Sequence, residues 1–172
     1  MTVIQASKRY VGLKENPPKS NRHPDIDRWF RKLGLNVGQA WCACFVSNMF
    51  LETTGEIPDF ASASSQAIKR WGQSKGRYFT DPQYLYKCKG AIFGWTLKND
   101  PAHGHVGLVR ARYTSNGEII AIGTIEGNTN GGGARLGDGV YELRRGVPVD
   151  GTHQLWFINT TGLPGGDWWK AS

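Results

Sequence analysis

The sequence has 172 residues, which is enough for one domain that buries a core around a cleft but crowded for two. Lys and Arg number 21 against 14 Asp and Glu, so the chain carries a formal net charge of +7 and attracts polyanions. The basic residues are dispersed or paired and match no nucleic-acid-binding motif, which argues against a specific nucleic-acid partner.

The first part of the chain is predicted to hold two helices separated by a loop. Residues 2–12 form the first helix, and the Pro- and Asn-rich stretch 16–24 forms the loop. Asp25 is expected to be the N-cap of the second helix, which Gly34 closes. The apolar residues of this helix recur at helical spacing: Ile26, Trp29, Phe30 and Leu33.

Two further helices are predicted before residue 75. The third begins near Cys42 and ends near Gly55, and the fourth runs from Ser65 to Gln73. The apolar face of the third helix consists of Trp41, Phe45, Val46, Met49 and Phe50. Core packing is the default for five tryptophans that fall within apolar patterns: Trp29, Trp41, Trp71, Trp95 and Trp156.

The second half of the chain is predicted to form an antiparallel β-sheet. Five short apolar runs, broken by Gly, Asn and Pro, are typical of strands: 91–95, 105–113, 118–128, 139–145 and 154–160. Ser115-Asn116-Gly117 predicts a hairpin between the second and the third of them. Helices followed by strands indicate an α+β fold with N-terminal helices packed on the sheet. We expect one domain over 1–172, with a flexible tail over 165–172 that either docks on the body or touches glycan.

The three cysteines cannot all pair, so at least one thiol is free. Cys42 stands at the predicted start of the third helix, where the helix dipole favours a thiolate. The alternative interpretation is that Cys42 is a small buried core residue. Cys44 lies about 200° farther around the helix and is assigned to packing, and Cys88 is given no role.

A cysteine nucleophile needs a base, and the chain has four histidines. His105 opens an apolar strand directly after Gly104, where a sheet would hold the ring and the glycine would leave room for a substrate. His103 lies either on the same side of an extended strand or in a loop, and a zinc site built on both histidines and a cysteine is the weaker alternative. His23, in the Pro-rich loop, and His153, in a turn, are expected to be solvated.

Two polar residues of the segment 125–130 complete the candidate set. In a strand, Glu126 and Asn128 would project to the same side, toward a histidine on the neighbouring strand. One could orient the imidazole, and the other could place it or stabilise an oxyanion. The alternative interpretation puts Glu126 at an exposed strand end and Asn128 in a turn.

Three motifs in order resemble the CHAP family of cysteine, histidine-dependent amidohydrolases and peptidases: the run 38–46 (GQAWCACFV), Gly104-His105-Val106-Gly107 and Glu126-Gly127-Asn128. The similarity extends from residue 10 to about residue 158. The sequence departs from the pattern of the family at two places. Gly90-Ala91 stands where many relatives have Gly-Asp, and no closely spaced Asp residues precede the cysteine. We therefore expect no calcium or other metal, and no cofactor.

The resemblance implies a papain-like fold and a cysteine hydrolase that cuts amide bonds of bacterial peptidoglycan. The cut falls either at the N-acetylmuramoyl-L-alanine amide or within the peptides. The implied catalytic residues are the nucleophile Cys42, the general base His105, and the polar groups Glu126 and Asn128. Three neighbours are predicted to contact the substrate: Gln39, Trp41 and His103.

A compact basic chain without a separate wall-binding module is similar to single-domain phage endolysins, and we expect a monomer. No segment resembles a signal peptide or a membrane span. Synthesis in the host cytoplasm, no stable membrane insertion, and release through a holin to the periplasm or cell wall are therefore expected. The first alternative is a secreted antibacterial toxin or a host autolysin with the same chemistry. The second is a non-catalytic wall-binding module.

Overall fold

Helices precede a six-stranded antiparallel sheet in the computed structural model, which describes residues 1–147 and 151–169. The α-helices are α1 (Val3–Lys8), α2 (Pro24–Lys32), α3 (Cys42–Thr54) and α4 (Ser65–Ser74), and a 3₁₀ helix spans Pro82–Lys87. The strands are β1 (Tyr78–Phe79), β2 (Ala91–Leu97), β3 (Asp100–Ser115), β4 (Glu118–Thr129), β5 (Gly139–Gly146) and β6 (His153–Asn159). The predicted α+β, papain-like fold class is confirmed. Within these described ranges, no helix has the length and apolarity to cross a membrane.

The sheet has the strand order β1-β6-β2-β3-β4-β5. Strands β2 to β5 follow one another as a meander, and the turn between β3 and β4 is the predicted one. Asn116 and Gly117 have φ values of 49° and 81°, as a two-residue type I′ turn requires. The last strand, β6, inserts between β1 and β2. Strand β1 has only two residues, too few for a recognisable alternation, and the sequence gives no sign of it.

Two apolar clusters pack on the two faces of the sheet. Residues of one cluster, such as Ile92 and Ile158, contact the helices, and their chain neighbours Phe93 and Phe157 belong to the other. Helix α3 lies against the sheet, and every residue from Cys42 to Phe50 is buried. A helix that is buried on all sides is held by its surroundings rather than by one apolar stripe.

Helix α2 begins two residues earlier than predicted, and its N-cap is His23 rather than Asp25. The backbone of His23 is extended, and its Nδ1 accepts a hydrogen bond from the backbone N–H of Asp25 at 3.1 Å. Pro24 then occupies the first helical position, where the missing N–H has no consequence. The prediction was wrong because histidine is not one of the preferred cap residues.

Two observations concern expectations about the C-terminal part: one corrects a prediction, and the other agrees with one of two alternatives. His153 is the first residue of β6 rather than part of a turn, and its ring lies 4.4 Å from that of Trp95. Residues 165–169 dock on the body, since the indole of Trp168 donates to the carbonyl of Val109 at 2.9 Å and lies against Phe50. The end of the expected tail, residues 170–172, lies outside the described residues.

We predict that Gly94→Ala in the central strand β2 destabilises the fold by about 1–3 kcal/mol. A Cβ at this position would overlap the indole of Trp156, which is completely buried. Gly146→Ala in β5 is the matched control, because a Cβ there meets nothing within 4 Å. Thermal unfolding of the two variants and the parent measures the difference. Equal stability of the two variants would contradict this account of the core.

Candidate active site

Cys42 is the first residue of α3, and the preceding Trp41 fixes where this helix begins. The indole of Trp41 is completely buried, packs against Trp29 and Phe45, and donates from Nε1 to Glu15 Oε1 at 2.9 Å. Core packing of Trp41 is thus confirmed. A side chain without exposed surface belongs to the core rather than to a substrate cleft, so the structure does not support the predicted substrate contact of Trp41.

The N-terminus of α3 has no capping side chain. Trp41 is the N-cap residue, and its only polar side-chain atom is bonded to Glu15. The first backbone N–H groups of a helix have no partner within the helix, and the helix dipole makes this end positive. Cys42 therefore sits where negative charge, on sulfur or on a nearby oxygen, is stabilised.

Asn128 holds the start of α3 and does not contact the histidine. Its backbone has φ 57°, and the register of β4 against β5 shifts between Glu126 and Thr129. The sequence had suggested that Glu126 and Asn128 point to the same side of the strand. This irregularity breaks the two-residue alternation, so the two side chains point in different directions. The Asn128 amide satisfies both its groups in one orientation: the oxygen accepts from Trp41 N at 3.2 Å, and the nitrogen donates to Gly137 O at 3.3 Å.

His105 lies in β3 and is completely buried. Its Nε2 is 2.8 Å from Glu126 Oε2. The ring lies against Trp95, its cross-strand partner on β2, with centroids 5.8 Å apart. The other nitrogen, Nδ1, is buried and makes no hydrogen bond of normal geometry with any described residue, yet the ring interacts with the Cys42 thiol. Cys42 and His105, 63 positions apart in the chain, thus lie next to each other in the structure.

Glu126 is held by more groups than the histidine alone. The guanidinium of Arg145 on β5 binds both carboxylate oxygens, with Nε to Oε1 at 2.7 Å and Nη2 to Oε2 at 2.6 Å. Thr124, two residues earlier on β4, donates its hydroxyl to Oε1 at 2.5 Å. The sequence analysis missed Arg145. The alternation of β5 does place it on the half-buried side of that strand, but nothing in the sequence pairs it with Glu126.

The charges of this network set the protonation states. Burial opposes the ionised carboxylate, but hydrogen bonds from Arg145 and His105 lower the pKa of Glu126 to about 2. Burial also opposes the imidazolium, yet interactions with Cys42 and Glu126 raise the pKa of His105 to about 9. At neutral pH the ring is therefore protonated, between a carboxylate on one side and the sulfur on the other.

The glycines of the histidine and glutamate motifs leave room for the network. A Cβ on Gly107 would lie 2.6 Å from Phe93 and 2.8 Å from the Cγ of Glu126. A Cβ on Gly127 would lie 2.6 Å from the ring of Trp41. A Cβ on Gly104 would overlap the carbonyl oxygen of Trp95. Each of these contacts is closer than real side chains adopt, so these glycines permit the packing of strands and helix around the site.

The other predicted residues lie apart from the network. Gln39 is exposed in the loop before α3, and its amide donates to Asn36 O at 2.9 Å. His103 is exposed on β3, with Nδ1 2.5 Å from Asp100. Cys44 is buried beside Asn48, and burial raises the pKa of its thiol to about 12, which confirms its assignment to packing.

Among residues 1–147 and 151–169, no three or more His, Cys, Asp or Glu side chains group closely enough to hold a metal ion.

The family model of the CHAP domain matches residues 34–128, which are 95 of the 172 residues. The matched range contains Cys42, His105, Glu126 and Asn128, whereas Arg145 and Glu15 lie outside it. No curated protein and no solved structure matches the chain.

We predict that Glu126→Gln lowers the pKa of His105 from about 9, because the carboxylate that favours the imidazolium is lost while Arg145 keeps its positive charge. The titration of the His105 ring by NMR measures the shift. Glu118→Gln, an exposed carboxylate in the β3–β4 hairpin, is the matched control and should leave the titration unchanged.

The same variant should also change how the free energy of unfolding depends on pH. The folded-state pKa of His105 lies above the ordinary 6.5, so its pairing stabilises the fold fully below pH 6.5 and progressively less as the pH rises through about 9. Because the lowered pKa of Glu126 contributes stability fully only above its ordinary 4.5, the stability difference between the parent and Glu126→Gln should be largest between pH 4.5 and 6.5 and shrink from there toward pH 9. A difference that grows with pH in this range would show that the sign is wrong.

Proposed function

The chain belongs to the CHAP domain family of cysteine- and histidine-dependent hydrolases, and on this premise we propose that Cys42 is the nucleophile of a peptidoglycan hydrolase. The observation that carries the proposal is the buried chain Arg145–Glu126–His105, which ends at the thiol of Cys42. A buried ionised carboxylate that orients an imidazole beside a thiol is the arrangement that thiol-based acyl transfer needs.

The proposed reaction starts from a thiolate–imidazolium pair, which forms when Cys42 Sγ gives its proton to His105 Nδ1. The thiolate attacks the carbonyl carbon of an amide, and the tetrahedral intermediate carries its negative charge on the former carbonyl oxygen. The backbone N–H at the start of α3 stabilises this oxyanion. The imidazolium gives its proton to the leaving nitrogen, which departs as an amine and leaves a thioester on Cys42. A water molecule, deprotonated by His105, then releases the acid and regenerates the thiol.

Glu126 and Arg145 would act through the histidine. Because Arg145 keeps Glu126 ionised, the carboxylate holds the imidazole by Nε2 and stabilises its charged form during the reaction. Asn128 would act as a positioning residue that fixes the first residue of α3 through the Trp41 N–H. We propose Gln39 and His103 as substrate contacts, since both are exposed next to the nucleophile and the base in the chain.

We propose that the enzyme works as an endolysin, at the cell wall and as a monomer. The net charge of +7 supports this role, because anionic wall polymers attract a basic enzyme. A secreted toxin or an autolysin would use the same chemistry, and the genes beside this one distinguish them. A holin gene supports the endolysin, and an immunity gene supports the toxin.

We predict that Cys42→Ala abolishes the lysis of purified cell walls while wall binding persists. The reason is that the alanine side chain cannot form the thioester but leaves the surface charge intact. Cys44→Ala, two residues along the same helix, is the matched control and should remain active, since its thiol faces the core. Turbidity of a sacculus suspension measures lysis, and sedimentation with the sacculi measures binding. Lysis by Cys42→Ala would mean that the nucleophile is assigned wrongly, and a Cys44→Ala enzyme that folds but is inactive would also contradict the assignment.

Mass spectrometry of the released fragments identifies the bond. Muramic acid without a peptide, together with a free stem, would identify an N-acetylmuramoyl-L-alanine amidase. New amino termini within the stems or bridges would identify an endopeptidase. Fragments with new reducing sugar ends alone would contradict an amide hydrolase altogether.

A further inference from the structure

A buried carboxylate oxygen remains unpaired next to the active site. The side chain of Glu15 is only 5 % exposed. Its Oε1 accepts the indole N–H of Trp41, but its Oε2 has no hydrogen-bond partner in the part of the chain that the structure describes. Burying a polar oxygen without a partner is costly, and such atoms usually have a ligand or an ordered water molecule. Oε2 of Glu15 takes no part in the proposed reaction.

Glu15 lies in the wall of a groove with a volume of about 560 Å³. The groove runs between the loop after α1 and the ends of β4 and β5, and its other polar walls are Asn21, Asn128, Asn130, Asp138 and Tyr141. It adjoins the start of α3, because Trp41 is bonded to Glu15 by its side chain and to Asn128 by its backbone. A substrate whose scissile bond lies at Cys42 can therefore extend into this groove.

Glu15 is the acidic residue of the groove with an oxygen still available to accept a hydrogen bond, because the other charged residues described nearby do not pair with it. Asp138, the other acidic residue of the groove, binds Lys14 Nζ at 3.1 Å and the hydroxyl of Tyr141 at 2.7 Å. Lys19, the basic residue of the groove, is exposed and makes no ion pair with Glu15 among the described residues. Because Oε1 is already bound to Trp41, Glu15 offers a single carboxylate oxygen, which suits a compact ammonium group better than a planar guanidinium that prefers two parallel bonds.

We propose that Glu15 Oε2 binds a primary ammonium group of the substrate and thereby selects peptidoglycan peptides that carry a free amine. This inference rests on the proposed function, because it assigns part of the substrate to the groove. The amine has two sources in the wall: the side chain of the diamino acid in the stem peptide, and the α-amine at the end of an unlinked peptide. Both present the same chemistry to Glu15.

The test compares soluble muropeptides with free amines, with the side-chain amine acetylated, and with the terminal amine acetylated. The parent enzyme should cleave the substrate with free amines with a kcat/KM about tenfold or more above that for the substrate acetylated at the recognised amine. Most of the difference should be a higher KM for the acetylated substrate, because acetylation removes a charge-assisted hydrogen bond. The arm that shows the loss identifies which amine is bound.

Glu15→Gln provides the second comparison. The glutamine Oε1 can still accept from Trp41, whereas its amide nitrogen replaces the free anionic oxygen. This variant should lose about tenfold or more in kcat/KM on the free substrate but little on the acetylated one, so that the preference disappears. Glu118→Gln has the same change of charge on an exposed hairpin and should keep the preference. A merely structural role of Glu15 would lower the activity on all substrates equally and would overturn the inference.

The outcomes separate the two proposals. If the parent cleaves no muropeptide and no sacculus, the proposed function fails. If it cleaves the free and both acetylated substrates equally well, the function stands and the ammonium site is refuted. Should Glu15→Gln not fold, isothermal titration of the three muropeptides into Cys42→Ala decides the matter, because equal affinities would refute the site without any change at Glu15.

Discussion

The site depends on the neutralisation of one buried carboxylate. Glu126 has no contact with solvent, and a single charge in such a place is too costly for a fold to keep unless it is paired and hydrogen-bonded. Arg145 from β5, His105 from β3 and Thr124 from β4 together supply these bonds. Three strands must therefore be in register before the histidine has a defined orientation, so catalytic geometry and sheet geometry are set by the same contacts.

Trp41 has the corresponding role on the helical side. Its indole is fixed by Glu15 and by aromatic neighbours, and its backbone N–H is fixed by Asn128. The sulfur that follows it in the chain thus has a defined position relative to β4. Because Gly127 lies directly against Trp41, the strand that carries Glu126 and Asn128 also touches the residue before Cys42. The helix start and the sheet are joined at one point, where the two halves of the chain meet.

Much of this could be predicted from the sequence, because periodic apolar residues report burial directly. Helices α2 to α4 and strands β2 to β6 follow from such patterns, and the resemblance of three motifs supplied Cys42, His105 and Glu126. What could not be predicted depends on irregular backbone or on distant pairing. The positive φ of Asn128 turns its side chain away from the expected direction. Arg145 reaches Glu126 only because β5 folds beside β4, and the sequence contains no sign of that contact.

The position of β6 has a consequence for biosynthesis. This strand lies between β1 and β2, and it pairs with β2 along its entire length. A ribosome must therefore translate beyond residue 159 before β2 acquires its second neighbour, and until then the nascent chain exposes an unpaired central edge. Trp95, against which the His105 ring lies, belongs to β2, so a polypeptide truncated before β6 carries this tryptophan on a strand that is paired on one side only. The surroundings of His105 are for this reason complete only after β6 has been translated and has paired with β2.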